Sequence, residues 1–281
     1  MLLANRWFIG TSLALAGVVG GWESSNAPAT PATLNDANST VRFDPASVSG
    51  EYDWVIDSVD VLTRQWFWYR IGNSGPATPI DQIDATPVIV TSDTLPNTGD
   101  NFLQLTYENA TLKISLIYSL AGGQPGSGVA DLHTVVTLNN INSNAEAPPL
   151  DVAVFQYSDF NLNDTPNNDT IEIIGPGNYN TARQYDDSTL VHETATSVTP
   201  DIYIADLIDG SNDLLPLLND GSLTNFTPNI PGPVGPGDAS WLFGWTASLA
   251  PGGTLQFGKD QSIVPEPATL ALFASRKRAH A

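Results

Sequence analysis

Strict alternation of apolar and polar residues is the feature that most limits how this chain can fold. In the segment NFLQLTYENATLKISLIYSL, Leu103, Leu105 and Tyr107 alternate with polar residues, and the alternation resumes after the turn-forming ENA. A period of two residues places successive side chains on opposite faces of an extended strand. The segment therefore predicts a β-hairpin with one face in a core.

Short runs of this kind recur over residues 41–263, separated by Gly, Pro, Asn and Asp. About a dozen such runs without interleaved helices are typical of antiparallel sheets. We therefore predict an all-β fold, most simply an antiparallel two-sheet sandwich of jelly-roll type, formed by residues 41–263. The exception is the leucine-rich stretch 206–219, which predicts short helical turns with Ser211 as cap and Pro216 limiting their length.

Composition narrows the classes of partner. The 281 residues include 30 Asp and Glu but only 10 Lys and Arg, which gives a formal net charge of −20. Such a surface repels phosphate backbones and anionic lipids, so we expect no nucleic-acid partner and consider divalent cations better candidates. The absence of cysteine excludes disulfides, thiolate nucleophiles and Cys-ligated zinc.

The N-terminus has the features of a secretory signal. It begins MLLANRWFIGTSLALAGVVGG, with Arg6 ahead of an apolar run from Trp7 to Val19. As a helix this run would be about 20 Å long, shorter than the roughly 30 Å hydrocarbon core of a bilayer. We therefore predict a cleavable signal peptide over residues 1–29, followed by a polar linker over residues 30–40.

The C-terminal segment VPEPATLALFASRKRAHA, residues 264–281, combines a Pro-Glu-Pro motif, a short apolar run and a basic cluster. This arrangement resembles the PEP-CTERM sorting signal of exported bacterial proteins. The residues that match the motif are Pro265, Glu266, Pro267, Arg276, Lys277 and Arg278. The resemblance implies that the membrane protease exosortase reads this signal, in a Gram-negative bacterium that makes exopolysaccharide.

The apolar part of this tail is short. Residues 268–274 would form about 10 Å of helix, a third of the bilayer core. We therefore expect the tail to engage the membrane only transiently or weakly, and the protein to reach the cell surface or the extracellular matrix. The phrases QWFWYRIGNSGP, FQYSDFNLND and GPGDASWLFGWTASLAPGG are similar to phrases in uncharacterised PEP-CTERM proteins, which implies export and a β-rich fold without implying an activity.

The aromatic run QWFWYR places Trp66, Trp68 and Arg70 on one face of a strand. Because the other face carries Phe67 and Tyr69, the run is most simply a central strand buried between two layers. The alternative is an exposed platform on which Trp66 and Trp68 stack against sugar rings while Arg70 binds hydroxyl groups. That alternative makes the protein a carbohydrate-binding module or a polysaccharide-active enzyme.

The loop DFNLNDTPNND is rich in oxygen ligands. Its candidate calcium ligands are Asp159, Asn161, Asn163, Asp164 and Asp169. The spacing begins like an EF-hand loop, but Asp164 stands where a glycine makes the sharp turn, and Thr170 stands where a bidentate glutamate belongs. The sequence leaves open both a calcium site and a solvated hairpin loop.

No catalytic motif stands out. His133 and His192 lie in strand-like runs, where a lone histidine is most often structural, and the chain contains no G-x-S-x-G elbow, phosphate loop or dinucleotide fingerprint. Apart from the candidate calcium ion, no cofactor is expected. The main hypothesis is an exported, non-catalytic surface or matrix protein, with exosortase as a partner during export and exopolysaccharide as a candidate partner afterwards.

Overall fold

The computed structural model describes residues 30–83, 87–94, 99–175, 177–210, 213–222, 226 and 228–266. The strands formed by these residues are β1 (Ala32–Asp36), β2 (Ser39–Asp44), β3 (Gly50–Ile56), β4 (Val59–Asp60), β5 (Leu62–Ile71), β6 (Thr78–Pro79), β7 (Val88–Ser92), β8 (Phe102–Glu108), β9 (Leu112–Gly122), β10 (Ala130–Asn140), β11 (Leu150–Phe160), β12 (Asp169–Ile174), β13 (Thr181–Tyr185), β14 (Thr189–Ala195), β15 (Ile202–Leu207), β16 (Val234–Gly237), β17 (Ala239–Leu249) and β18 (Thr254–Pro265). One α-helix, α1 (Leu214–Asn219), and two single 3-10 turns (Ile80–Gln82 and Leu162–Asp164) accompany them.

These strands form two sheets of nine strands each. The first sheet has the order β1-β2-β3-β5-β11-β17-β15, with β4 attached to β3 and β6 to β5. The second sheet has the order β16-β12-β13-β14-β18-β10-β9-β8-β7. Among the described strand pairs, β3 and β5 run parallel and the others are antiparallel. The predicted all-β fold, an antiparallel sandwich of two sheets, is confirmed.

The predicted hairpin is formed by β8 and β9. Leu105 pairs with Leu116, and Tyr107 pairs with Ile114. Every second residue of β8, and of β9 as far as Leu120, is buried, including Leu105, Tyr107 and Leu116, while the residues between them are half-exposed or exposed. This is the pattern expected when one face of a sheet packs on a core.

The two faces of the first sheet are covered by different elements. One face packs against the second sheet, as shown by Trp245 of β17, whose ring stacks on Phe257 of β18 with centroids 3.9 Å apart. The opposite face carries Trp68, whose indole Nε1 donates to Asn219 Oδ1 of α1 at 3.1 Å. The central strands of this sheet are therefore buried on both faces.

The predicted helical turns near 206–219 are confirmed in a shorter form. Residues up to Leu207 still belong to β15, and α1 begins at Leu214 after the N-cap residue Asp213. Pro216 lies in the first turn, where its missing N–H has no intrahelical partner to lose. Ser211, the predicted cap, lies outside the described residues.

The packed body extends beyond both predicted boundaries. Residues 32–36 and 39–44 form β1 and β2, so this stretch is sheet rather than the linker we expected over residues 30–40. The strand is hard to recognise in the sequence because the buried face of β1 has only two apolar residues, Ala32 and Leu34, beside the buried Asp36. At the other end, β18 continues to Pro265, two residues past the expected limit.

Both predicted targeting segments lie largely outside the described residues, namely residues 1–29 and 267–281. In the ranges that the structure does describe, no helix has the length and apolar character needed to cross a membrane.

Gly50 offers a test of how β3 packs on β5. Its φ of +56° is left-handed, and a Cβ added there would overlap the Trp66 indole. We expect Gly50→Ala to lower the free energy of unfolding by about 3 kcal/mol, because backbone strain and overpacking add. Gly72→Ala is the matched control: its φ is +78° but nothing lies within 4 Å of the added carbon, so a loss of about 1 kcal/mol is expected. Urea unfolding measures both, and equal losses would contradict the packing described.

Candidate functional site

The tryptophan strand does not form a binding platform. Trp66 and Trp68 are both fully buried, and Trp66 Nε1 donates to Asp81 Oδ1 at 3.1 Å. The Arg70 guanidinium lies 5.6 Å from the centre of the Phe155 ring. The exposed stacking surface considered from the sequence is therefore absent, because elements outside the first sheet cover this face. The run is instead a buried central strand, as its aromatic residues on both faces predict.

The carboxylates at the two ends of the candidate calcium loop are buried. Burial raises the pKa of Asp159 to about 7, and the charge of Asp238 adds to the rise. Burial likewise raises the pKa of Asp169 to about 7. Asp169 Oδ2 accepts hydrogen bonds from the Leu162 backbone N–H at 3.3 Å and from Gln184 Nε2 at 2.5 Å. One oxygen of each aspartate has no hydrogen-bond partner among the described residues.

The middle of this loop has a different structural role. Asn163 has a left-handed φ of 55°, and its side-chain amide donates to Asp186 Oδ2 and Ser188 Oγ, both at 2.6 Å. Asp164 is exposed, and Asn161 Oδ1 is buried without a hydrogen-bond partner in the described part of the chain. Within that same part, no three His, Cys, Asp or Glu residues are grouped so that they could hold a metal ion. Calcium binding by this loop stays a prediction.

A second group of polar residues lies between the two sheets, and we call it the interior cluster. It consists of Gln65, Gln156, Glu193, Lys259 and Gln261. The Glu193 carboxylate accepts hydrogen bonds from Gln65 at 2.9 Å, Gln156 at 2.5 Å and Gln261 at 2.8 Å, and it lies 3.4 Å from Lys259 Nζ. Each member is at most 1% exposed. The cluster is therefore closed to external ligands and serves the fold.

Glu51 adjoins the interior cluster and is fully buried. Neither of its carboxyl oxygens has a hydrogen-bond partner among the described residues. Burial raises the pKa of Glu51 to about 8, while the charge of Lys259 opposes this rise and the charge of Glu193 adds to it. Glu51 therefore carries a proton at neutral pH, because ionisation would place an unpaired charge in the core.

The outer face of the second sheet presents a group of polar residues that we call the polar band. By strand register it has two adjacent rows, Glu172–Arg183–His192–Ser262–Asp131 and Thr181–Thr194–Asp260–His133–Ser119. All ten side chains are half-exposed or exposed. Each row crosses five strands, which at the usual strand spacing corresponds to about 19 Å. The band is thus a continuous polar surface that the fold assembles from separate parts of the described chain.

Contacts inside the polar band orient its side chains. Arg183 Nη1 donates to Glu172 Oε1 at 3.0 Å, and the Thr181 and Thr194 hydroxyls are 3.1 Å apart. His133 Nδ1 pairs with Asp260 Oδ1. Hydroxyl, imidazole, guanidinium and carboxylate groups thus alternate along the band, so it offers both hydrogen-bond donors and acceptors.

Asp260, His133 and Ser119 lie side by side on three neighbouring strands, which is the order of a catalytic triad. No hydrogen bond is found between His133 and Ser119 in the described contacts. The backbone N–H groups of β10 are committed to its two partner strands, so they provide no oxyanion hole. The arrangement suits ligand binding better than acyl transfer.

The polar band is not evident from the sequence, in which His133 and His192 are expected to be structural residues of separate strands. The available signal was the alternation in ADLHTVV, which places Asp131 and His133 on the polar phase of the strand. Nothing local could have shown that these residues join Arg183, since the joining strands are distant in sequence.

No protein-family model matches this sequence, and no curated protein matches it. Among solved structures, the chain is similar to a bacterial glucoamylase in complex with acarbose, with 10% identity, a TM-score of 0.59 and coverage of 94% of this chain and 36% of the other. It therefore spans about a third of that protein. A putative aldose 1-epimerase of Escherichia coli K12 gives 12% identity and a TM-score of 0.47, covering 84% of this chain and 99% of the other. A galactose mutarotase-like protein of Lactobacillus casei gives 11% identity and a TM-score of 0.46, covering 83% of this chain and 100% of the other. At these identities the likeness concerns the fold alone.

Because Glu51 is protonated in the folded state, we expect the free energy of unfolding to depend on pH. Its folded-state pKa of about 8 exceeds the ordinary value of 4.5, so between these pH values the unfolded chain releases a proton that the folded chain keeps. The free energy of unfolding should therefore fall as pH rises through this window, by on the order of 4 kcal/mol. In Glu51→Gln this contribution disappears, and the variant should be more stable than the wild type at pH 8.

Urea unfolding at pH 4.5, 6 and 8 measures the effect. Glu108→Gln is the matched control, because Glu108 is exposed and pairs with Lys113 on the surface. The same pH slope in the wild type and in Glu51→Gln would contradict the assignment.

Proposed function

We propose that this chain is an exported, non-catalytic saccharide-binding β-sandwich that contacts its ligand through the polar band. The observation that carries the proposal is the pair of polar rows on the solvent face of the second sheet, which crosses five strands without a break. The polar band thus takes the place of the tryptophan strand, the binding surface considered from the sequence.

The chemistry of the band matches that of sugars. Sugar hydroxyl groups both donate and accept hydrogen bonds, and the band supplies Ser and Thr hydroxyls, an imidazole–carboxylate pair and a guanidinium. Hydrogen bonds that involve a charged partner are the stronger ones, so Asp260 and Arg183 supply the best anchors. A sheet face of about 19 Å suits an extended chain of several sugar units rather than a single small molecule.

The fold likeness supports this proposal only weakly. The fold is shared with part of a glucoamylase that was solved with acarbose bound, but folds are shared by proteins of unrelated function. The proposal therefore rests on the polar band.

We also propose that the protein is exported and sorted by its two termini. The support is the signal-like segment over residues 1–29 and the resemblance of the tail to PEP-CTERM signals, with Pro265, Glu266 and Pro267 as the motif. Exosortase is then the partner during export, and the surface or matrix is the destination. Fractionation of the producing cell with mass determination should find a trimmed protein outside the cytoplasm, whereas an intact 281-residue chain in the cytosol would contradict export.

Saccharide binding is tested with a glycan array of the purified protein, followed by calorimetry on the best neutral oligosaccharide. We expect Asp260→Ala to weaken binding by about tenfold, because a hydrogen bond to a charged group is lost. Gln256→Ala is the control: Gln256 is exposed on the same face of the same strand but lies outside the polar band. No binding to any neutral glycan, or equal effects of the two variants, would remove the proposal.

A further inference from the structure

Glu266 lies against one end of the polar band. It follows β18, whose last residue Pro265 pairs with Thr189, and the Glu266 backbone N–H donates to the Ser188 carbonyl at 2.7 Å. By strand alternation its side chain points to the outer face of the second sheet, the face of Ser262. That side chain is only 7% exposed. The chain therefore places a carboxylate of its own on the proposed binding surface.

Arg183 is the cation nearest to this carboxylate among the described contacts. Its Nη2 lies 3.8 Å from Glu266 Oε1, while its Nη1 donates to Glu172. The guanidinium also lies 4.9 Å from the centre of the Tyr185 ring, which fixes its plane. Arg183 is thus oriented with one edge toward Glu172 and one edge toward Glu266.

The ion pair with Glu266 is incomplete. Neither oxygen of Glu266 has a hydrogen-bond partner in the described part of the chain, although the side chain is nearly buried. The adjacent His192 Nε2 is also buried without a partner there. Burial and the charge of Arg183 lower the pKa of His192, and the charge of Glu266 opposes this lowering. A carboxylate with unsatisfied oxygens beside an arginine and a histidine is weakly retained, because buried polar groups need hydrogen bonds.

We propose that Arg183 and His192 form a carboxylate subsite of the polar band, that Glu266 fills it from within the same chain, and that it accepts a uronate unit of an acidic saccharide once Glu266 leaves. This inference deepens the proposed function and rests on it. Arg183 supplies the planar fork that matches a carboxylate, and His192 supplies a neighbouring hydrogen-bond group.

Exchange of one carboxylate for another suits so acidic a protein. With a net charge of −20, binding an additional anion is opposed by the field of the whole molecule. Replacement of Glu266 by a uronate leaves the charge next to Arg183 unchanged, so the exchange meets only the long-range part of this repulsion, which solvent and salt screen. Glu266 competes with the ligand for Arg183 from within the same chain. If it fills the subsite for about nine-tenths of the time or more, its removal strengthens uronate binding by at least about tenfold.

The test compares trigalacturonate with its neutral methyl ester, which keeps the sugar backbone but lacks the carboxylates. Calorimetry at fixed ionic strength with EDTA, which removes cation bridging, is performed on the wild type, Glu266→Gln and the double variant Glu266→Gln/Arg183→Gln. Glu146→Gln is the charge-matched control, because Glu146 is exposed in a loop away from the polar band. We expect Glu266→Gln to bind trigalacturonate at least tenfold more tightly than the wild type, with no gain for the ester, and the double variant to lose the gain.

An equal gain in Glu146→Gln and Glu266→Gln, or a gain that survives Arg183→Gln, would overturn the inference. If the ester binds but Glu266→Gln brings no gain for trigalacturonate, the subsite fails while the proposed function stands. If neither sugar binds any variant, the subsite fails, and the glycan array decides the proposed function separately. NMR of the wild type gives an independent readout. Excess galacturonate should shift the His192 ring resonances and leave those of His133 unchanged, and no shift at His192 would also overturn the subsite.

Discussion

Burial of Lys259 against Glu193 is the interaction on which the arrangement of the sandwich depends. A charged pair between sheets is tolerated only when its remaining hydrogen-bonding groups find partners, and glutamines from β5, β11 and β18 supply them. Because side chains alternate along a strand, the register that keeps Lys259 inside places Asp260 outside. The residues that β18 gives to the interior cluster and to the polar band therefore lie on its opposite faces. A shift of β18 by one residue relative to its neighbours would disrupt both groups.

The two sheets differ in what they leave accessible. The first sheet carries large side chains on both faces of its central strands, and α1 covers the face that turns away from the second sheet. Aromatic residues such as Trp66 and Trp68 thus contribute to burial instead of recognition. The outer face of the second sheet stays in contact with solvent through its half-exposed and exposed polar side chains.

The C-terminal end of the domain combines a resemblance to a sorting motif with a place in the last strand of the second sheet. Pro265 and Glu266 match a sorting motif in the sequence, yet in the structure they complete and follow the last strand. Glu266 is nearly buried beside Arg183. In the sorting that we propose, a processing enzyme would meet this segment where the sheet ends, and it would have to act next to the paired end of β18.

The sequence by itself determined the all-β class and the β8–β9 hairpin, because both depend on a local period of two residues that needs no distant partner. It also indicated short helical turns, but not their extent. Only the tertiary structure decided that β1 is a strand, that Trp68 is covered, and that Arg183, His192 and Asp131 lie in one row. The row depends on the order β12-β13-β14-β18-β10, whereas the first two outcomes depend on the pairing of β1 with β2 and on the packing of α1 over β5. Such non-local pairing follows from how whole faces are buried against each other, which no short segment encodes.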